Sequence, residues 1–155
     1  MIVEAQVTIK GSKAAIWSMI TDIDNAAGTI GSIDEIEILE RPASGFVGLK
    51  WRETRTMFGK TATEVMWITD ASENDFYKAR AESHGFIYIS TLSLSEEAGA
   101  NLLTMTHDSR PQGFVAKLLS VPMTLVFKGM AKKAFLKDLN DIRAAVEQDG
   151  GDRCT

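Results

Sequence analysis

Between Ile33 and Asp108 the chain carries an almost unbroken strand pattern, interrupted only by turn chemistry at RPASG, FGKT, ASEND, SHGF and EEAGAN. A run of that kind makes about six antiparallel strands joined in series. A sheet built this way needs something to cover one face, and the flanking segments supply it. Residues 2 to 10 alternate Val3, Ala5, Val7 and Ile9 against Glu4, Gln6, Thr8 and Lys10, the pattern of one more half-buried strand. "GSKAAIWSMITD" then switches to helical spacing, with Ser12 as N-cap and Ala15, Ile16, Met19 and Ile20 recurring around Trp17. A second short helical or turn segment, "IDNAAGTI", runs to about residue 30. After Pro111-Gln112-Gly113 the spacing predicts a helix over roughly 113 to 148. Phe135, Leu139, Ile142 and Val146 form one stripe of it, with Lys133, Lys137 and Asp141 on another face. Pro122 predicts a kink, because it offers no amide hydrogen and crowds the carbonyl four residues back. The order predicts an α+β fold in which a seven-stranded curved antiparallel sheet wraps a long C-terminal helix, with two short helices after strand 1. A curved sheet around one helix leaves room between them.

With 155 residues, 45% of them hydrophobic and 25% charged, the chain suits one domain over residues 1 to 148 and a disordered polar tail over 149 to 155. A net charge of -4 without a dense Lys/Arg cluster argues against a nucleic-acid partner. The single cysteine, Cys154, rules out an internal disulfide. Two histidines with no cysteine nearby argue against a transition-metal site. No glycine-rich phosphate loop, G-x-S-x-G motif or nucleophile-base pair is visible, and no cofactor is implied. The start "MIVEAQVTIKGS" lacks the charge and apolar run of a leader, and the apolar stretches are short of a membrane span. The expectation is a cytoplasmic monomer or homodimer without stable membrane insertion.

Four stretches carry a resemblance: "VEAQVTIKGSKAAIWSMITDID", "GFVGLKWRETR", "LSLSEEAGANLLTMT" and "AFLKDLNDIRAAVEQ". Together they make nearly the whole chain similar to the START-related or SRPBCC superfamily. That group includes polyketide cyclase/dehydrase, lipid-transfer and pollen-allergen-like proteins and has the helix-grip fold. The resemblance implies a cavity between sheet and helix. It implies no single activity, since members range from enzymes to carriers to receptors.

Turn chemistry sets the expected register. With Gly59-Lys60 as a hairpin loop, Met57 faces Ala62, Arg55 faces Glu64, Glu53 faces Met66 and Trp51 faces Ile68, while Arg52 lies across from Trp67 in a cation-π contact. Thr54, Thr56, Thr61 and Thr63 then point outward. With His84-Gly85 as the next loop, Ala81 meets Tyr88, Ala79 meets Ser90 and Tyr77 meets Leu92, and Phe86 joins the same inner side. In the last strand Leu103 and Met105 bring His107 inward with them.

The candidate lining is therefore Trp51, Met57, Met66, Phe86, Leu92 and Met105, with space left by Ala79 and Ala81 and polar groups from Glu53, Arg55, Glu64, Tyr77, Tyr88, Ser90 and His107. A buried Arg55 must be paired with Glu64, Glu53 or both. That pair either pins the register or anchors the polar group of a mostly apolar ligand. Glu53 is either such a site group or a solvated strand-end charge. Tyr77 and Tyr88 are either core aromatics or ligand contacts, and His107 either a strand-end residue or an acid/base. Upstream of the helical stripe, "LLSVPMTLVF" is apolar nearly all round, which suits buried packing and a greasy cavity entrance equally. Three functions compete. A binder of a hydrophobic small molecule such as a lipid, isoprenoid, quinone or polyketide comes first. A polyketide cyclase or dehydratase-like enzyme, with Arg55, Glu64, Tyr77 and His107 as catalytic candidates, comes second. A protein-interaction module comes third.

Overall fold

Alternation of apolar and polar residues gives β1 (Ile2–Ile9) a strict in-out burial pattern, with Val3, Ala5, Val7 and Ile9 on the covered face. The structure is a computed structural model that describes residues 1 to 114 and 124 to 152. Helix α1 (Lys13–Thr21) starts where expected, the Ser12 hydroxyl accepting the Ala15 amide at 3.0 Å. A single 3₁₀ turn (Ile23–Asn25) and the one-turn α2 (Ala26–Thr29) follow.

Six strands come next, β2 (Ile33–Glu40), β3 (Lys50–Met57), β4 (Lys60–Ser72), β5 (Phe76–Ser83), β6 (Phe86–Glu97) and β7 (Ala100–Pro111), and the chain returns through α3 (Thr124–Asp152). All neighbours are antiparallel in the order β1-β7-β6-β5-β4-β3-β2. Irregularities between Ile33 and Glu35, between Ile38 and Glu40, and between Ile68 and Asp70 insert residues on one strand only. Such bulges bend the strands that carry them and increase the local twist. This is the helix-grip arrangement.

The C-terminal half of α3 lies in the grip through Leu139, Ile142 and Val146, which join Ala5, Val7, Ile9, Ile16 and Leu103 in the core. Leu139 is fully buried, so its truncation to alanine would cost ~2 to 5 kcal/mol. The close approach of α3 to the β1-α1 turn is recorded at Gly11, where a Cβ would sit 3.0 Å from Val146 Cγ1. Helix α3 runs on to Asp152, past the expected end at 148, while the Pro122 kink and Cys154 fall outside the described residues. At the other end Val126 and Phe127 are exposed, so this end of "LLSVPMTLVF" is not buried packing, while its residues 118 to 123 fall outside the described residues. Among the described residues no helix is long and apolar enough to cross a membrane.

The β5-β6 register is the expected one, Tyr77 opposite Leu92, Ala79 opposite Ser90 and Ala81 opposite Tyr88. The β3-β4 register is not. Met57 pairs with Lys60, Arg55 with Ala62, Glu53 with Glu64 and Trp51 with Met66. The two loop residues are Phe58 and Gly59, both at positive φ (53° and 75°), as a type I′ turn requires. A glycine in the second loop position relieves that turn, and the cross-strand hydroxyl pairs Thr54-Thr63 (3.0 Å) and Thr56-Thr61 (2.9 Å) hold it. The slip is two residues, so every side chain keeps its face. It does change partners: Lys50, not Arg52, lies 6.0 Å from the Trp67 ring, and Arg52 pairs with Glu37.

Candidate functional site

Between the concave face, the short helices and α3 lies a cavity of about 80 Å³. An apolar cavity that holds benzene measures about 150 Å³, so in this state the space suits a few waters, and a larger guest must move side chains. Nine expected residues stand in its wall: Trp51, Glu53, Arg55, Met66, Tyr77, Ala79, Ser90, Leu92 and Met105. Ten others were not expected there. Met19, Ile20, Ile23, Ala26, Thr29, Ile30 and Ile33 come from α1, α2 and their neighbours, and Asp138, Leu139 and Ile142 from α3. The short helices are thus walls of the cavity as well as cover for the sheet.

Met57, Glu64, Ala81, Phe86, Tyr88 and His107 stand outside this wall. Ala81 is packed shut at 1% exposure. Phe86 stacks on Tyr88 at 6.0 Å, Tyr88 on His107 at 5.6 Å, and Phe135 of α3 leans on His107 at 5.1 Å. This ladder lies beside the cavity. Ser90 links the two, its hydroxyl 2.9 Å from His107 Nδ1 while it also lines the cavity.

The polar end of the cavity is built around Arg55. Its Nε donates to Glu53, and its Nη1 donates to Asp138 Oδ2 at 2.6 Å and to Ser32 Oγ at 2.9 Å. The Ser32 hydroxyl in turn donates to Asp138 Oδ1 at 2.8 Å. Glu53 also accepts the Trp51 indole N–H at 3.2 Å. Three residues along α3 from Asp138, Asp141 accepts the Gly31 amide at 3.0 Å, so two aspartates one turn apart fasten the helix to the loop after α2. The expected Arg55-Glu64 pair is absent, because the two-residue slip places Glu64 opposite Glu53 and Ala62 opposite Arg55.

Burial works against the charge on Arg55, but Glu53 and Asp138 outweigh it and hold its pKa above the ordinary value. Glu64 is pushed up by burial and then by the facing Glu53. Burial raises the Tyr77 phenol, with Glu53 adding to the effect. Burial also lowers His107, the nearby Arg55 contributing in the same sense while Asp108 opposes it. His107 is therefore neutral at pH 7. Tyr77 is wedged edge-on between Trp17 (6.2 Å) and Phe46 (5.3 Å), and its hydroxyl has no hydrogen-bond partner among the described residues. Arg55 Nη2 likewise has none. Both residues line the cavity and neither atom is a sealed, orphaned group, so both can donate to water or to what occupies the cavity.

Asp138 is the group that reading the chain missed. Its signal is in the sequence: it stands three residues after Phe135 and four before Ile142, within the apolar stripe of α3. Ser32 has no such signal. Among the described residues no cluster of three or more His, Cys, Asp or Glu could hold a metal.

No family model matches the sequence, and no curated protein is significantly similar to it. Solved structures do share the fold. A START superfamily protein from Mycobacterium smegmatis is 19% identical with a TM-score of 0.77, over 95% of this chain and 97% of that one. The ZhuI aromatase/cyclase from Streptomyces sp. R1128 is 17% identical with a TM-score of 0.73, over 96% and 94%. Major latex-like protein 151 from Panax ginseng is 16% identical with a TM-score of 0.74, over 94% and 96%. At these identities the likeness shows the fold alone, the helix-grip arrangement described above.

Proposed function

We propose that the protein binds a mostly apolar small molecule in the cavity, with an oxygen of that molecule accepting from Arg55 Nη2 and the Tyr77 hydroxyl. The observation that carries this reading is the pair of unpartnered donors set in a wall of Ile, Leu, Met and aromatic residues. Met19, Met66 and Met105 stand in that wall on three different elements. Methionine is unbranched and adapts its shape readily, so these side chains are the ones to give way to a guest larger than the resting space. Native mass spectrometry of protein purified from its own host, followed by extraction, tests the reading. A non-covalent adduct that extracts as an apolar, oxygen-bearing compound is expected. A protein that carries nothing and takes up no apolar probe would instead have a filled core.

A second reading, a polyketide cyclase or dehydratase-like enzyme, is favoured by the acid-base groups beside the same donors. There, Arg55 would polarise a ketone while a carboxylate of the cluster removes a proton from the adjacent carbon, His107 being linked to the cavity through the Ser90 hydroxyl. The resulting enolate would attack a second carbonyl, and loss of water would follow. The structural likeness to an aromatase/cyclase agrees with this reading at the level of the fold. Arg55→Met would abolish turnover of a poly-ketone substrate under it, measured as loss of ring-closed product.

A further inference from the structure

We infer that the polar end of the cavity selects its ligand by charge, accepting a neutral carbonyl or hydroxyl and excluding a carboxylate; this rests on the binding reading above. Among the described residues the charged members of the wall are Glu53, Arg55 and Asp138, one cation against two carboxylates. An arginine usually grips a carboxylate with two parallel N–H groups along one edge of the guanidinium. Here both edges are half taken. Nε is held by Glu53, and Nη1 by Asp138 and Ser32, which leaves Nη2 able to offer only single-point contacts. Among the described residues no second cation stands in the wall to meet an incoming anion. Glu64, facing Glu53 across the strand pair, adds negative charge nearby whenever it is ionised.

The sign of the effect follows from Coulomb's law and desolvation. Two carboxylates offset the attraction of the nearer guanidinium, so a ligand carboxylate loses the charge-assisted grip it normally gains from arginine and still has to shed its water, which costs an ion far more than a ketone. A ketone of the same shape loses nothing on this account and still accepts from Nη2 and from Tyr77. The wall thus favours ligands such as ketones, phenols and esters over fatty or aromatic acids.

Acetophenone and benzoate share a ring and differ in the head group, so they serve as the probes. Their binding at pH 8 is measured by amide chemical-shift titration of the full chain, read at Met66, Tyr77, Ala79 and Met105. Acetophenone is expected to bind at least tenfold more tightly than benzoate. Asp138→Asn, which removes one negative charge and keeps the shape, should bring the ratio below about threefold. Glu53→Gln should act in the same direction and serves if the first variant does not fold. Benzoate binding as tightly as acetophenone to the unaltered protein would overturn the inference while leaving the binding reading intact. If neither probe shifts these resonances, the binding reading falls and the selectivity with it.

Discussion

Arg55 and His107 stand on the same concave face, on β3 and β7, and the fold accommodates them in different ways. Arginine cannot shed its charge at any ordinary pH, so placing it inside requires opposite charge. The chain supplies two carboxylates from two elements: Glu53 from the same strand, and Asp138 from a helix more than eighty residues away in the chain. Histidine can give up its proton, and burial makes it do so. It then needs only one hydroxyl, from Ser90, and aromatic neighbours to stack on. An obligatory charge draws distant parts of the chain together, whereas an optional one settles for local partners. The Arg55 cluster is for this reason both a clasp between sheet and helix and the polar end of the cavity.

The largest expected effect tests the clasp. Arg55→Met leaves Glu53 and Asp138 facing each other without a cation, a change that typically costs ~3 to 5 kcal/mol. In a domain of this size that lowers Tm by roughly 6 to 20 °C, readable by calorimetry. Adding Asp138→Asn should recover part of the loss, and adding Glu64→Gln should not, because Glu64 does not touch Arg55. Rescue by Glu64→Gln alone would restore the pairing expected from the chain and break the comparison.

A smaller effect concerns His107. Its pKa in the folded protein lies below the ordinary 6.5 of the unfolded chain. As pH falls below about 6.5 the unfolded chain takes up a proton that the folded protein refuses, so stability drops by up to about 1.4 kcal/mol per pH unit until the folded pKa is reached. Denaturant unfolding from pH 7.5 to 5 should show this slope, and it should be flatter in His107→Phe. The same substitution at pH 7.5 should cost only about 1 kcal/mol, the worth of one hydrogen bond. An equal slope in both proteins would mean that His107 titrates normally.

The smallest effect has the opposite sign. The raised pKa of Glu64 means that the unfolded chain loses this proton first as pH rises. Whatever stability the group contributes is present at low pH and lost as pH rises through the folded pKa. Glu64→Gln should therefore stabilise the protein slightly at pH 7 and leave it unchanged at pH 3. A loss of stability at pH 7 would show that Glu64 has a partner after all.

Much of this architecture was legible along the chain. Alternation in β1, the turn residues between Ile33 and Asp108, and the stripe of Phe135, Leu139, Ile142 and Val146 are local patterns. They determined the elements, their order and the face on which each side chain lies. Facing survived even the misplaced β3-β4 turn, because a slip of two residues preserves the period of two. The β5-β6 partners and the Arg55-Glu53 pair were legible too, but tertiary structure alone decided which distant elements meet. It gave Arg55 to Asp138 and Ser32 instead of Glu64, and brought the residues of α1 and α2 into the cavity wall. It also packed Phe86, Tyr88 and His107 into a ladder beside the cavity. The reason is range. Hydrophobic period and turn preference act over a few neighbouring residues, whereas a buried charge is satisfied by whichever opposite charge the folded chain brings within hydrogen-bond reach, wherever in the sequence it lies.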